Sequence, residues 1–278
     1  AVQTAQQSKF DGRGTVVAVV DSGIDYTHKD MALSPGVAGK LSKEDVSAIQ
    51  SGNPQLKGRY FTEKVPYGYN YADQNSSVID TAVEDPAYNH GMHVAGIIGA
   101  NCQSQAEINA YNGVRGAAPE CQLLAMKIFS NTANVSASEA DIIAAIEDSV
   151  ALGADVINLS IGLSAGFHNS ENGQQKAIKA AREAGVIVVA AAGNGAYAPY
   201  QQASDTKPHP NYSRVVDTGT IAEPGLSEDT IQVASRDNSA RVVWQLSASL
   251  NGKKQGSFPY VLNDLDTSAL TGSYPVVD

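Results

Sequence analysis

Three polar residues stand where chemistry is done. Asp21 closes the run VVAVVDSGID, so a carboxylate follows directly on a buried β-branched strand. Open α/β sheets bind their ligands in the crevice at the carboxyl ends of such strands. Ser22 and Gly23 supply the tight turn. The plainer alternative is a strand-terminal Asp that caps that turn. His90, in NHGMHVAG, falls in the first turn of an expected helix beside a glycine, where its ring can enter a cleft as a general base. His93 shares that helix face. A metal reading of HxxH lacks the glutamate of HExxH and any cysteine or carboxylate at ligand spacing, so His93 reads as a satisfied core histidine. Asn194, in VVAAAGNGA, follows another buried strand. Its amide suits a developing oxyanion, and the alternative is a turn Asn in the left-handed region. A carboxylate, an imidazole and an amide at one sheet edge ask for a fourth member, a nucleophile that His90 deprotonates.

The elements that must hold these residues alternate strand and helix. That pattern predicts an α/β fold in three layers, a mostly parallel sheet covered by helices on both faces. Thr15–Val20, Gln122–Phe129, Asp155–Ser160 and Val186–Ala192 read as buried strands. His90–Ala100 reads as a buried helix. Ser136–Leu152 reads as an amphipathic one with a Ser136/Glu139 capping box and a stop at Gly153. Glu171–Ala184 is a third helix, closed by Gly185. Tyr26–Asn89 reads as a long irregular insertion holding one short helix, Ser42–Gln50, with capping-box spacing between Ser42 and Asp45. After about Thr230 come short strands between turn signals, read as an antiparallel segment. The expected division is residues 1–235 and residues 236–278, the second β-rich.

Composition narrows the function. The chain has 278 residues, a formal charge of −10 and an isoelectric point near 4.9. That acidity argues against nucleic acid or an anionic membrane surface as a partner. No apolar run approaches the roughly 20 residues that a bilayer requires, so membrane insertion is not expected. The N-terminus lacks the n- and h-regions of a signal peptide. Cys102 and Cys121 have neither CxxC nor zinc spacing. They form either one disulfide, worth roughly 3 kcal/mol for a loop of about 20 residues, or two buried thiols. A nucleotide-binding domain is disfavoured, because no glycine fingerprint both follows a strand and opens a helix, and no P-loop lysine motif exists.

VVAVVDSGID, HGMHVAG, DVINLSIG and AAAGNG, in this order, resemble the subtilisin superfamily of serine proteases. Its triad order is Asp, His, Ser. HGMHVAGIIGAN, GRYFTEKVPYGYNYAD and APECQLLAMKIFSN are similar, more narrowly, to the lactocepin and streptococcal C5a-peptidase branch of Gram-positive cell-envelope proteinases. The resemblance implies a serine endopeptidase acting on protein or peptide substrates, extracellular or envelope-bound, with no cofactor required for chemistry. Asp21 matches the triad aspartate, His90 the general base and Asn194 the oxyanion-hole asparagine. Ser160, Ile161 and Gly162 match the segment that pairs with an extended substrate. His93 matches a position of structural role.

One departure stands out. No Gly-Thr-Ser-Met-Ala-type nucleophile motif is present. The nearest lookalike, Asp266-Thr267-Ser268-Ala269-Leu270, lacks the glycine and the long helix that should follow. The nucleophile is therefore expected on sequence after residue 278, in a C-terminal part that would act as this chain's partner. The tail from about Arg241 would lead into a protease-associated-type insertion. The chain alone is expected to be inactive. The alternative is a non-catalytic, peptide-binding pseudoprotease. A structural calcium is a further implication of the resemblance, with Asn101, Glu107, Asn109 and Asn112 as the candidate oxygen ligands.

Overall fold

The computed structural model describes residues 10–83, 88–132, 137–163, 171–194, 221–235, 244–250 and 253–260. The chain divides into two compact units, Ala1–Ala234 and Ser235–Asp278.

The first unit is built on a six-stranded parallel sheet. Its strands are β1 (Val16–Asp21), β2 (Tyr67–Asn70), β3 (Gln122–Lys127), β4 (Val156–Leu159), β5 (Ile187–Ala191) and β6 (Ile231–Val233), in spatial order β2-β3-β1-β4-β5-β6. The helices among the described residues are α1 (Lys43–Gly52), α2 (His90–Gly99), α3 (Gln105–Asn109), α4 (Glu139–Ala151) and α5 (Gly173–Glu183). β1 is central and buried on both faces, which is why its sequence is continuously apolar rather than alternating. Val16, Ala18 and Val20 face one core, filled by Ile142 and Ile146 of α4 and Ile178 of α5. Val17 and Val19 face the other, filled by Ala95 of α2 together with Ile24, Val65 and Leu123. The sheet is therefore covered on both sides, as the alternating pattern predicts.

Several local expectations shift. α4 is capped by Ser138, whose hydroxyl accepts from the Asp141 N–H; Ser136 of the expected Ser136/Glu139 box lies outside the described residues. The Glu139 carboxylate accepts from the N–H of Gln174 near the start of α5. Ser42 and Asp45 do form the expected capping box on α1. Within the stretch read as an irregular insertion, Tyr67–Asn70 pairs in parallel with β3 and extends the sheet. Its four residues are too short to show a period. Ile231–Val233, read as part of an antiparallel segment, pairs in parallel with β5. In the second unit, β7 (Trp244–Leu250) and β8 (Lys253–Tyr260) form an antiparallel hairpin.

Candidate active site

Asp21 is the last residue of β1 and is fully buried. Its Oδ1 lies 2.8 Å from Nδ1 of His90 and accepts from the N–H of Ser22 at 2.7 Å. Its Oδ2 has no hydrogen-bond partner among the described residues. An ionised carboxylate only accepts, so the neutral ring must carry its proton on Nδ1 and leave the Nε2 lone pair free. The His90 side chain is 47% exposed, so the ring combines a buried anchor with access from solvent. The hydrogen bond that the ring donates to Asp21 raises the His90 pKa above its ordinary value. Partial burial opposes this, and the charge of Asp21 adds to the rise. The pair is that of a base made stronger and held in one tautomer by a buried acid.

Local backbone geometry makes this contact possible. Gly23 has φ of +124°, and a side chain there would strike the Val78 carbonyl. A Cβ on Gly91 would stand 2.6 Å from the Gly23 carbonyl oxygen. The turn after β1 and the first turn of α2 therefore meet backbone to backbone. Asn89, at the N-cap of α2, has φ of +60° and makes no side-chain cap bond. The cap comes from the neighbouring turn, where the Ser22 hydroxyl accepts from the Gly91 N–H at 3.0 Å. One residue after Asp21 thus caps the helix that His90 opens. The sequence around Ser22 shows only a turn, because a cap supplied by a residue 69 positions away has no local signature.

The other expected residues fall along the same edge. β4 lies beside β1 and β5 beside β4. Asp21, Ser160 and Asn194 thus lie at or just beyond the carboxyl ends of three neighbouring strands, which span about 10 Å. Asn194 is exposed. The Ser160 hydroxyl accepts from the Asn158 amide at 2.9 Å. Ile161 and Gly162 line a cavity of about 390 Å³ with Phe129, Ala137 and Ile142, and Leu163 bridges to Glu223 on its rim. His93 is not a core histidine. It is exposed and lines a separate cavity of about 520 Å³ with His28, Met31 and Met92, because the α2 stripe that turns inward is Gly91, Ala95 and Gly99. Ser268 lies outside the described residues.

The segment expected to hold calcium contains the short helix α3, and three of its four candidate ligands, Asn101, Glu107 and Asn109, have their side-chain oxygens engaged elsewhere. Asn101 Oδ1 accepts from the Gln103 amide, and Asn109 Oδ1 accepts from the Gln105 amide at 2.9 Å. The Glu107 carboxylate accepts from Lys29 at 2.6 Å, and the same ammonium reaches Asp30 at 3.0 Å. Burial would raise the Asp30 pKa, but the Val114 N–H and Lys29 together hold it below its ordinary value. Asp30, Cys102 and Glu107 bring their ligand atoms within 4.8 Å of one another. With an ammonium already bridging the two carboxylates, this donor set does not fit a calcium ion, which needs six to eight free oxygens. Cys102 and Cys121 are both buried free thiols.

A buried carboxylate that holds the imidazole of a helix-opening histidine, at the carboxyl edge of a parallel sheet, has the geometry that a triad hydrolase requires of its acid and base. The Subtilase family model matches residues 12–257, and the chain belongs to that family of peptidases. It is 40% identical over 267 residues to a PII-type proteinase of Lacticaseibacillus paracasei, covering 96% of this chain and 13% of that protein. It is 42% identical over 231 residues to a PIII-type proteinase of Lactococcus lactis subsp. cremoris (strain SK11), covering 83% of this chain and 11% of that one. A C5a peptidase of Streptococcus pyogenes is 32% identical over 238 residues, 84% of this chain and 19% of the relative. The chain therefore spans about an eighth of the length of the PII-type relative. Among the described residues, no helix is long and apolar enough to cross a membrane.

Proposed function

We propose that the chain supplies the acid, the base and an oxyanion donor of a serine endopeptidase that hydrolyses peptide bonds in proteins. The observation that carries this reading is the 2.8 Å contact between His90 Nδ1 and the buried Asp21 carboxylate. His90 takes the proton of the attacking serine on Nε2 and returns it to the leaving amine. Asp21 stabilises the imidazolium formed between these steps. Asn194 donates to the tetrahedral oxyanion. Ser160, Ile161 and Gly162 receive the substrate as an added strand, with one side chain entering the cavity beside Ile161.

The nucleophilic serine is assigned to sequence after residue 278, beyond the β-rich residues 236–278 that would lead into a protease-associated-type insertion. Ile231 and Val233 on the edge strand β6 are 56% and 53% exposed, apolar surface of the kind that a further segment would cover. Without that serine the chain by itself lacks about six orders of magnitude of rate. Likeness to Gram-positive proteinases supports an extracellular or envelope location. In the loop at residues 101–113 the Lys29 ammonium is assigned the bridging role that the family resemblance gave to calcium, so the site needs no metal.

The test is fluorophosphonate labelling of the natural full-length protein, read by intact and peptide mass. Label on a serine after residue 278, abolished in H90A, is the expected result. Label on Ser268 or another serine of this chain would overturn the assignment of the nucleophile. No label at all would favour a peptide-binding pseudoprotease.

A further inference from the structure

Both members of the Asp21–His90 pair are flanked by residues tied to one buried ion pair. Lys127 closes β3 directly opposite Asp21 in the register of the sheet, and its side chain is fully buried. Its ammonium donates to the carbonyl of Ser22, the residue after Asp21, and lies 3.8 Å from Asp80 Oδ1. Asp80 is 6% exposed. Its Oδ1 accepts from the Ala82 N–H at 3.1 Å, and its Oδ2 accepts from the Asn89 N–H at 2.9 Å. Asn89 precedes His90 and holds the left-handed φ of +60°, unusual for a residue other than glycine. The loop closes through the Ser22 hydroxyl, which accepts from the Gly91 N–H on the other side of His90. The circuit runs from Ser22 through Lys127, Asp80 and Asn89 to His90 and Gly91, and back to Ser22.

Stability alone does not call for such a pair. Burying two charges costs several kcal/mol per ion, and a well-packed apolar pair is often as stable. Buried pairs are best attested where they fix one arrangement over others. Here the arrangement is the one that the acid–base pair needs, and Asn89 holds a left-handed conformation that asparagine tolerates, with its N–H fixed by the Asp80 carboxylate.

We propose that Lys127 and Asp80 are positioning residues, whose buried ion pair holds Ser22 and Asn89 so that the His90 ring meets the Asp21 carboxylate. The proposal rests on reading Asp21 and His90 as the acid–base pair. Asp73 also feels the charge of Lys127, and Asp21 is the charge that faces His90.

The test uses D80N, K127M, K127R and the double variant D80N/K127M in the natural full-length protein. The His90 ring is titrated by NMR, and hydrolysis of a peptide substrate is followed in parallel. Asn has one acceptor oxygen where Asp80 uses two, so D80N must release either Ala82 or Asn89. We expect the His90 midpoint of D80N and K127M to fall toward its ordinary 6.5. We expect kcat to fall by about 10- to 100-fold, with KM within about twofold, the cost of small misplacement at a reacting group. K127R restores the midpoint. The double variant leaves no buried charge unpaired, so it supplies the measurement if a single variant does not fold, and it should lose no more than either single variant. A His90 midpoint that stays put in the folded variants overturns the proposal, whatever happens to Tm. Failure of the functional reading shows separately. If H90A still hydrolyses peptide, His90 is not the base, while the titration still reports whether the ion pair holds the ring.

Discussion

Replacing Asp21 by Asn tests the acid–base pair at its centre. Asp21 Oδ1 receives two donors, His90 Nδ1 and the Ser22 N–H, while Oδ2 has no partner among the described residues. An Asn that keeps its oxygen at the Oδ1 position retains both bonds and loses only the charge. Its amide nitrogen is then buried without an acceptor, a cost of about 1–3 kcal/mol in stability. The catalytic loss is the interaction between carboxylate and imidazolium. At 2.8 Å and an effective dielectric near 20, this comes to about 6 kcal/mol. The ring is 47% exposed, so solvent screens part of that figure. We therefore expect kcat/KM to fall by about 10³- to 10⁴-fold, or about 4–5.5 kcal/mol. The pH profile provides a second, independent readout. Asp21 raises the His90 pKa chiefly through its hydrogen bond. The base works in its neutral form, so wild-type activity rises with pH through that raised value, and the acid limb of D21N moves to lower pH. A raised folded-state pKa also gives stability that is present below the unfolded value and lost as pH rises through the folded one. The Tm gap between wild type and D21N should therefore be wider at acidic than at alkaline pH. The assay is a peptide hydrolysis profile of the full-length protein, with D21A beside it to remove orientation as well as charge. Retention of more than a tenth of wild-type kcat/KM by D21N, or an unmoved acid limb, would refute the reasoning.

S22A leaves the buried Gly91 N–H without its acceptor, and should cost about 1–2 kcal/mol in denaturant unfolding together with a drop in kcat. G91A forces a Cβ to 2.6 Å from the Gly23 carbonyl; we expect about 1–3 kcal/mol of destabilisation and a His90 titration displaced from wild type, both readable on one NMR sample. A137W crowds the cavity beside Ile161 and should raise KM about tenfold or more for peptides with a large apolar side chain, while small-side-chain substrates are cleaved as before. Because Lys29 bridges Asp30 and Glu107, millimolar calcium or a chelator should leave Tm unchanged; a calcium-dependent rise would show that the ammonium yields its place to the metal.

Much of the scaffold was legible in the sequence because its signals are local. A continuous run such as VVAVV has one stable home, a strand covered on both faces. Gly153 and Gly185 end their helices with positive φ, as their placement predicts. The same locality put Asp21 and Asn194 at the sheet edge, since the first closes its strand and the second follows the end of its strand by three residues. Local signals fail where partners are distant. Tyr67–Asn70 becomes a strand only because β3 offers it a free edge, and the order of strands that seats Asp21 next to the end of β4 is a property of the whole sheet. Lys127 did carry a sign, a lone charge within the otherwise apolar strand LLAMKIF. Its partner, Asp80, lies in a stretch without periodicity, 47 residues earlier in the chain. By itself, then, the sequence determined the residue types of the acid–base pair and the elements that carry them. Only the tertiary structure decided that His90 meets Asp21 at 2.8 Å, because that contact depends on two glycine backbones in close approach, a hydroxyl that caps another element's helix and a buried charge pair drawn from two further segments.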